Sequence, residues 1–581
     1  MTDASLSDDS LKTFVGLPLK CYLWAAKKVS DMKSLKPFVI AVVIAASALL
    51  AYGVFTRPSA KPIDYEGFSS KRVLEDLEVI SREHHSVAQP EERAAVREYL
   101  VSRLHEIGAD TVKIFRYDSL RGPLNKHVTY TFDAYDVLAE FAPENASQDC
   151  SYLMFVAHYD SRYSQPMPRR DTVWSYGAAD DGYGLGVTLE TVNNLVKERS
   201  GWSQGVKVLF TDAEEPGLDG MTAIWENNHE VFDNVGLMIN IEARGPWGPA
   251  LLFETCPGNS KVMELYARNA KSPFTYSLTT VVYSFMPNFT DFTIAKDHIP
   301  GLNFSTITDV NHYHTDLDNF SNVSAKTVQH YGAQILPVAK AYLTDARYAD
   351  KDYLRSDANT VNFTIPVIAL VNMSKTAYLI INLVVFALFI LLVVLAVRKN
   401  GVRLSKVFGT AGLTLLLAVA VLALGEGAAW LCAKIAGARF VPFGVTQGIM
   451  FDNAAMIVLL VLMTVLYVLC YLKCTGKTKE EALLGALLLD FVLSAVLVFT
   501  LGENLMFLIP LTCAVLALLL EGFTGWKFLI PLAVAVILLH AFSFLHALAM
   551  ALTIGAFGAV AMIAFIDLAV LIPLIHSYLA E

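Results

Sequence analysis

The stretch Val206-Lys-Val-Leu-Phe-Thr211, followed by Asp212-Ala-Glu-Glu-Pro-Gly-Leu-Asp-Gly220, organises the rest of this chain. Its first part is an apolar, β-branched run typical of a buried strand, and its second part is an acidic loop. The carboxylates of Glu214 and Glu215 therefore follow the end of a strand. Adjacent carboxylates repel each other unless a cation or solvent offsets their charge, and an isolated pair is most often a solvated loop.

Other acidic and imidazole clusters make the solvated loop a poor explanation. They are His158-Tyr-Asp160 after the apolar run 151–157, Gly177-Ala-Ala-Asp-Asp-Gly182 at the start of a predicted helix, Glu242-Ala-Arg-Gly245 after the run 235–241, and His312-Tyr-His-Thr-Asp-Leu-Asp318 after the run 301–307. Ligands of open α/β sheets bind beyond the carboxyl ends of the strands. We therefore expect these clusters to meet at one edge of one sheet.

Between about residues 70 and 345 the strand-like runs alternate with stretches of helical periodicity. The predicted helices are 91–107, 185–197, 221–232 and 261–270, and the first ends at Gly108. Alternation of this kind predicts an α/β sandwich with a largely parallel central sheet.

The clusters combine imidazole and carboxylate groups without a thiolate, which is the ligand set of zinc or a similar divalent ion in a catalytic site. One-metal and two-metal sites both fit the number of groups. A two-metal site needs roughly five protein ligands around a shared water. That number is supplied by His158, Asp180, Glu215, Glu242 and His314. Glu214 is then free to act as general base.

The motifs together resemble a known family in order and spacing. They are His158-Tyr-Asp160, Gly177-Ala-Ala-Asp180-Asp181-Gly, Asp212-Ala-Glu214-Glu215-Pro-Gly-Leu-Asp-Gly, Asn240-Ile-Glu242-Ala-Arg-Gly, Met286-Pro-Asn-Phe-Thr-Asp-Phe and Tyr313-His314-Thr-Asp-Leu-Asp318. This series is similar to that of the M28 zinc peptidases, and most similar to their membrane-anchored branch, which includes the endoplasmic reticulum metallopeptidases and bacterial relatives. The resemblance covers about residues 70–345 and implies the αβα sandwich of zinc peptidases.

The resemblance also implies a role for each ligand. Asp180 would bridge two zinc ions, with His158 and Glu242 completing one site and Glu215 and His314 the other. Many relatives carry Asp where this chain has Glu242, whereas the membrane-anchored relatives often carry Glu. The longer side chain leaves binding plausible.

Further roles follow for residues that would not bind metal directly. Glu214 would be the base, Asp160 would orient His158, and Tyr313 would stabilise the oxyanion. Asp181 is either a partner of a ligand or a loop acid. Arg244 either clamps a substrate carboxylate or pairs with a structural acid, and we favour the second.

The composition divides the chain into a polar and a membrane part. The 581 residues are 54% hydrophobic, which is high for a soluble protein, and the excess is concentrated after Ala377. The predicted organisation is a cytoplasmic tail (1–36), a transmembrane anchor (37–55), a linker (56–69), an extracytoplasmic peptidase domain (70–347), a second linker (348–375) and a transmembrane domain of about seven helices (376–581). The net charge of -10 gives no reason to expect nucleic-acid binding, which calls for a basic face.

The predicted spans after the anchor are 376–397, 407–431, 454–472, 481–500, 504–521, 527–545 and 549–576. Lysines before the anchor, and basic loops at 398–406 and 473–479, place both termini in the cytosol and the peptidase domain outside it. We favour a bacterial plasma membrane, with a eukaryotic endomembrane and a lumenal domain as the alternative. Ionisable residues within the spans are costly in lipid and are candidates for function; they are Glu426, Asp490, His540, His546 and Asp567.

The sequence thus predicts a membrane-anchored, two-zinc aminopeptidase that acts on peptides. The enzyme alternatives are a carboxypeptidase, a dipeptidase or a one-zinc enzyme similar to glutaminyl cyclase. The alternative that is not an enzyme is a transporter or scaffold with an inactive peptidase-like domain. Uptake by vesicles that carry a Glu214→Ala variant would separate the two, because transport should survive this change and hydrolysis should not. The spacing leaves open whether Cys150 and Cys256 pair and whether a second copy of the chain is a partner.

Overall fold

A computed structural model describes residues 19–55, 58–125, 128–144, 150–163, 165–166, 172–284, 288–446 and 478–580. The strands are β1 Thr111–Asn125, β2 Val128–Phe141, β3 Tyr152–His158, β4 Gln165–Pro166, β5 Thr172–Val173, β6 Gly205–Thr211, β7 Val235–Ala243, β8 Leu251–Thr255, β9 Gly301–Thr306, β10 Thr360–Ile365 and β11 Ala369–Ser374. The helices up to residue 344 are α1 Leu19–Phe55, α2 Ser70–Ile80, α3 Pro90–Ile107, α4 Gly182–Leu195, α5 Glu214–Gly217, α6 Asp219–Asn227, α7 Ser260–Asn269, α8 Ser277–Ser284, α9 Phe292–Ala295 and α10 Ala325–Thr344.

A seven-stranded sheet in the order β1-β2-β6-β3-β7-β9-β8 forms the centre of the polar part. The inner strands β6, β3, β7 and β9 run parallel, as predicted. The outer pairs β1–β2, β2–β6 and β8–β9 are antiparallel. All residues of β6 and β7 are buried, as expected for parallel strands covered on both faces.

Helices cover this sheet and complete the αβα sandwich. Helices α2, α4 and α10 pack together, and α4 contacts β3, β6 and β7. Helix α6 packs against β1 and β2. Local sequence signals set the ends of these helices: α3 begins with Pro90 at its first turn and ends at Gly108, whose φ of 98° suits a glycine.

Long apolar helices form the membrane part. They are α11 Lys375–Asn400, α12 Leu404–Ala436, α13 Lys479–Thr500, α14 Leu505–Thr524, α15 Leu529–Leu552 and α16 Phe557–Ala580. With the anchor segment Leu35–Gly53, the described part of the chain has seven helices long and apolar enough to cross a membrane. The chain is therefore a multi-pass membrane protein. The predicted span 454–472 lies outside the described residues.

Several boundaries differ from the sequence reading. Helix α1 begins at Leu19, within the segment assigned to the tail. The segment 348–375, assigned to a linker, contains the antiparallel hairpin of β10 and β11. The break between the last two helices falls at Thr553, whose φ is 54°. Hydropathy alone does not place such a break, because both sides of it are apolar.

The membrane helices form one bundle that the first and last spans close. Helix α1 packs against α15 and α16, and Lys36 Nζ donates a hydrogen bond to the Tyr578 carbonyl oxygen at 2.8 Å. At the same end of the bundle, Arg403 Nε lies 2.8 Å from Glu481 Oε1 and ties the loop before α12 to the start of α13. Toward the opposite end of α15, Ser543 and Phe544 contact Tyr276 of the polar part.

The ionisable residues predicted inside the spans are largely buried between helices. Asp490 on α13 and Asp567 on α16 are buried, as is His540 on α15. Glu426 Oε1 accepts a hydrogen bond from the Gly558 amide at 3.1 Å and joins α12 to α16. Cys150 and Cys256 are both buried and both free.

We predict that the loop carrying Arg398 and Lys399 faces the cytosol and the domain built on the seven-stranded sheet faces the other side. Lys399 and Asp350 are both exposed, and the length of α11 separates them, since Asp350 precedes the helix and Lys399 lies in its last turn. In sealed cells, a membrane-impermeant maleimide is expected to label Asp350→Cys and to label Lys399→Cys only after permeabilisation. Labelling of both positions in sealed cells would contradict this topology, and the parent chain controls for the native cysteines.

Candidate metal centre

The predicted ligands converge beyond the carboxyl ends of the parallel strands. Two groups of side chains of the kind that can hold a metal ion form there: His158, Asp180 and Glu242 in the first, and Asp180, Glu215 and His314 in the second. Within each group the candidate ligand atoms lie within 4.8 Å of one another. Asp180 belongs to both groups, so all five residues that the sequence predicted as ligands are brought together.

The first group lies at the ends of β3 and β7. His158 is the last residue of β3, and its Nε2 lies 3.4 Å from Asp180 Oδ1 and 3.9 Å from Glu242 Oε2. The other ring nitrogen, Nδ1, lies 2.9 Å from the Asp160 carbonyl oxygen. A bond to that carbonyl fixes the proton on Nδ1 and leaves Nε2 as the free lone pair.

The second group joins the loop after β6 to the loop after β9. His314 Nε2 lies 3.2 Å from Glu215 Oε2 and 3.3 Å from Asp180 Oδ2. Thus one oxygen of Asp180 faces each group. His314 has a φ of 60°, so its backbone adopts a conformation that non-glycine residues rarely use and that functional sites often contain.

These side chains fit divalent cations. Asp180 Oδ2, Glu215 Oε1 and His314 Nε2 are buried and have no hydrogen-bond partner among the described residues. Buried polar atoms normally have a partner, so atoms that converge without one indicate a missing ligand. Asp180, Glu214, Glu215 and Glu242 also concentrate negative charge that two divalent cations would offset.

The pKa values of the carboxyl groups show how strongly this charge is confined. Burial raises the pKa of Glu242 well above its usual value, and the neighbouring carboxylates of Asp181 and Asp180 add to the shift. Burial also raises the pKa of Asp180, but the adjacent imidazoles of His158 and His314 outweigh it and lower that pKa overall.

Glu214 begins the short helix α5, directly after Ala213, whose φ is 58°. This turn separates the side chains of Glu214 and Glu215, so that Glu215 joins the second ligand group and Glu214 does not. Burial raises the pKa of Glu214 well above its usual value, and the carboxylates of Glu242 and Glu215 add to the shift. A carboxyl group with a raised pKa accepts a proton more readily, as a general base requires.

Asp160 contacts more of the site than the predicted partner His158. Its carbonyl oxygen holds His158, whereas its carboxylate oxygens accept hydrogen bonds from the amides of Glu214 at 2.9 Å and Glu215 at 3.2 Å. One residue therefore links the ends of β3 and β6. The carboxylate of Asp160 lies 3.5 Å from His158 Nδ1, farther than the carbonyl.

Tyr313 and Arg244 lie beside the second ligand group. The ring of Tyr313 stacks on that of His314 with centroids 3.6 Å apart. The guanidinium of Arg244 lies over the same Tyr313 ring, 5.5 Å from its centroid. Arg244 thus keeps its positive charge next to the centre through a cation–π contact.

The glycine-rich loop before α4 is shaped by Asp181. Its carboxylate accepts hydrogen bonds from the amides of Gly184 at 3.0 Å and His158 at 3.3 Å, so it caps α4 and supports a ligand strand. A Cβ at Gly184 would collide with this carboxylate, which explains the glycine. Asp181 is therefore a supporting residue.

The sequence reading missed several supporting residues. Asp318 accepts hydrogen bonds from the amides of Ala179 at 2.7 Å and Asp180 at 3.3 Å. Asn240 Nδ2 donates to Glu242 Oε1 at 3.2 Å, and Arg162 Nη1 lies 3.1 Å from Glu215 Oε2. Asp318 and Asn240 stand inside the quoted motifs, at fixed spacing from ligands, and that spacing was the available signal. Arg162 had no such signal.

The motif that begins at Met286 is only partly described by the structure. Residues 285–287, with Met286, lie outside the described residues. Its Asp291 is buried and accepts a hydrogen bond from the hydroxyl of Thr211 at the end of β6.

Residues 136–339 match the model of peptidase family M28. The chain is 24% identical to the endoplasmic reticulum metallopeptidase 1 of Rattus norvegicus, in an alignment that covers 65% of this chain and 43% of the relative. It is 27% identical to a vacuolar membrane protease of Lodderomyces elongisporus, in an alignment that covers 44% of this chain and 26% of the relative. It therefore spans less than half the length of these curated relatives. Among solved structures, a glutaminyl cyclase of Bacteroides thetaiotaomicron is 17% identical, with a TM-score of 0.37 over 47% of this chain and 98% of that one. A zinc aminopeptidase of Bacillus subtilis is 13% identical, with a TM-score of 0.37 over 50% and 99%.

We predict that Asp318→Asn weakens zinc binding about 10- to 100-fold, because the new side chain keeps one accepting oxygen and turns a donor toward either the Ala179 or the Asp180 amide. Competition with a chelating indicator measures the zinc affinity of the full-length protein. The exposed residue Asp297 offers a matched Asp297→Asn control, which should bind zinc as the parent does. Equal affinities for both variants would contradict the role given to Asp318.

Proposed function

Residues 136–339 of this chain form an M28 peptidase domain on a multi-pass membrane protein, and on that premise we propose that it is a zinc-dependent exopeptidase that removes amino-terminal residues from peptides. The observation that carries the proposal is the pair of ligand groups that share Asp180. A one-zinc enzyme would need one such group, so the second group favours two ions over the one-zinc alternative.

The ligands proposed for the first ion are His158, Asp180 and Glu242, and those for the second are Asp180, Glu215 and His314. Two bound zinc ions supply positive charge that polarises a peptide carbonyl group and makes water easier to deprotonate. Arg162 and Asn240 orient the carboxylates of Glu215 and Glu242 through the contacts described above.

The proposed base is Glu214. Its backbone amide is held by Asp160, which fixes the start of α5 and so the position of the side chain beside the ligand groups. Glu214 accepts a proton from water on a carboxylate oxygen and delivers it to the nitrogen of the leaving peptide. General bases of this kind contribute about 10²- to 10⁴-fold to the rate.

Tyr313 is the proposed donor to the oxyanion that forms on the substrate carbonyl. Its stacking on His314 keeps the ring next to the second ligand group, and Arg244 over the ring adds positive charge at the same place. A preorganised donor stabilises charge that develops in the transition state.

The choice between the two ends of a peptide rests on charge. Two zinc ions would offset the four carboxylates of the centre, but the buried carboxyl groups of Asp160, Asp181, Asp291 and Asp318 lie close by. This surplus of acidic groups favours a substrate that brings its own cation, and the free α-ammonium group of an amino terminus is one. Arg244 is the observation that favours the carboxypeptidase alternative, since a guanidinium binds a terminal carboxylate well.

We also propose that the peptidase domain works outside the cytosol, because the basic loop 398–406 lies at the other end of the bundle. A bacterial plasma membrane stays our first choice. The named relatives belong to the endoplasmic reticulum and the vacuole, which supports the endomembrane alternative.

Glu214→Gln is expected to keep two zinc ions per chain and to lose peptide hydrolysis by at least 10²-fold, because the amide cannot accept the proton. Metal content is measured by mass spectrometry and hydrolysis with unblocked peptides. The exposed Glu226→Gln serves as the matched control and should retain activity. Chelation should abolish parent activity and zinc should restore it; a parent enzyme indifferent to chelation would refute the metal mechanism.

Peptides with acetylated amino termini are expected to be resistant, whereas peptides with amidated carboxyl termini should be cleaved like free ones. The reason is that the acetyl group removes the cation on which the proposed recognition depends. Mass spectrometry of the products shows which residue is released. The opposite pattern would establish the carboxypeptidase alternative and assign Arg244 to the terminal carboxylate.

A further inference from the structure

A mostly apolar cavity lies between the peptidase domain and the membrane helix α15. It opens partly to solvent, and its unfilled space is about 680 Å³ when the adjoining open solvent is counted. On the domain side it is lined by Leu251 and Phe253 of β8 and by Val282 and Tyr283 of α8. Residues near the end of α15 form the opposite wall, among them Leu548.

The cavity adjoins the proposed metal centre. Arg244 and Ser305 line it. Arg244 follows Glu242 by two positions, and Ser305 of β9 is the direct partner of Glu242 of β7 across the sheet. Arg244 also reaches the ring of Tyr313, so one side chain touches both the cavity and the proposed oxyanion donor.

Electrostatic coupling supports the same connection. Burial raises the pKa of Tyr283, a cavity residue, and the carboxylates of Glu254, Glu242 and Glu214 add to the shift. The cavity wall therefore lies within electrostatic reach of a proposed ligand and of the proposed base.

Specific contacts hold α15 in place as a wall. The hydroxyl groups of Tyr276 and Ser543 are hydrogen-bonded at 3.0 Å, and the rings of Tyr276 and Phe544 meet edge to face with centroids 5.5 Å apart. Buried residues of β8, such as Leu251, belong to the same hydrophobic cluster as buried residues of the membrane helices. The helix is therefore packed closely against this side of the domain.

We infer that this cavity receives the apolar side chain of the substrate residue next to the cleaved bond, so that a membrane helix forms part of the specificity pocket. The inference rests on the function proposed above. The lining is apolar apart from a few groups, the charged Arg244 lies on the side of the metal centre, and burial of an apolar side chain there removes water from apolar surface. The substrates are accordingly peptides with a bulky apolar terminal residue such as leucine.

Leu548 offers the sharpest test because its variants change the size of the pocket in both directions. Leu548→Trp should fill it and lower the ratio of kcat/KM for leucine over alanine substrates at least tenfold. Leu548→Ala should enlarge it and raise the ratio for phenylalanine over leucine substrates severalfold. Both variants are measured as full-length protein with fluorogenic amino-acid amides, alongside zinc content.

Leu532→Trp is the matched control. Leu532 stands on the same helix with 55% of its surface exposed, so the substitution should leave both ratios as in the parent. Unchanged ratios in both Leu548 variants, or an equal loss for leucine and alanine substrates, would overturn the pocket. A different result would assign the cavity to a lipid. In that case both ratios stay unchanged, and a lipid copurifies with the parent but not with Leu548→Trp. A parent that cleaves no peptide would refute the proposed function, which is a separate outcome.

Discussion

The constraint on which the rest of this structure depends is the confinement of several carboxylates in one buried place. Asp180, Glu215 and Glu242 are buried where the sheet brings strand ends and loops together, and Glu214 lies half-buried next to Glu215. The mutual repulsion of these carboxylates must be offset. Many of the surrounding contacts hold these carboxylates in place or offset their charge. Asp160, Asp181 and Asp318 accept backbone amides, Arg162 contacts Glu215, and two imidazoles face Asp180. The polar interior is costly on its own, and the proposed chemistry depends on it.

The centre of the fold and the proposed ligands were predictable from the sequence because both leave local signals. Parallel strands read as uninterrupted apolar runs, and the residues that follow them belong to the site by topology. The antiparallel strands β1 and β2 were missed, since their mixed polar composition has neither signal. The contacts of Asp160 with Glu214 and of Asp318 with Ala179 were also missed. They join residues 54 and 139 positions apart, and only the fold shows which atoms meet.

The membrane helices pack directly against the domain that carries the proposed centre. Tyr276 of the peptidase domain bonds to Ser543 of α15, and aromatic and aliphatic side chains of both parts share one cluster. Hydropathy predicted that these helices span the bilayer but could not show that one of them reaches the neighbourhood of the proposed centre. That information lies in packing between segments far apart in the chain, which a periodic pattern does not record.

The bond between Lys36 and Tyr578 has a consequence for the fate of the domain in the cell. Because α1 and α16 pack together, the domain between Phe55 and Lys375 is an insertion whose two ends both return to one bundle. A single cut on either side would leave it tethered. Shedding of a soluble form therefore demands two cleavages, and a protease that nicks one connection leaves the domain at the membrane surface.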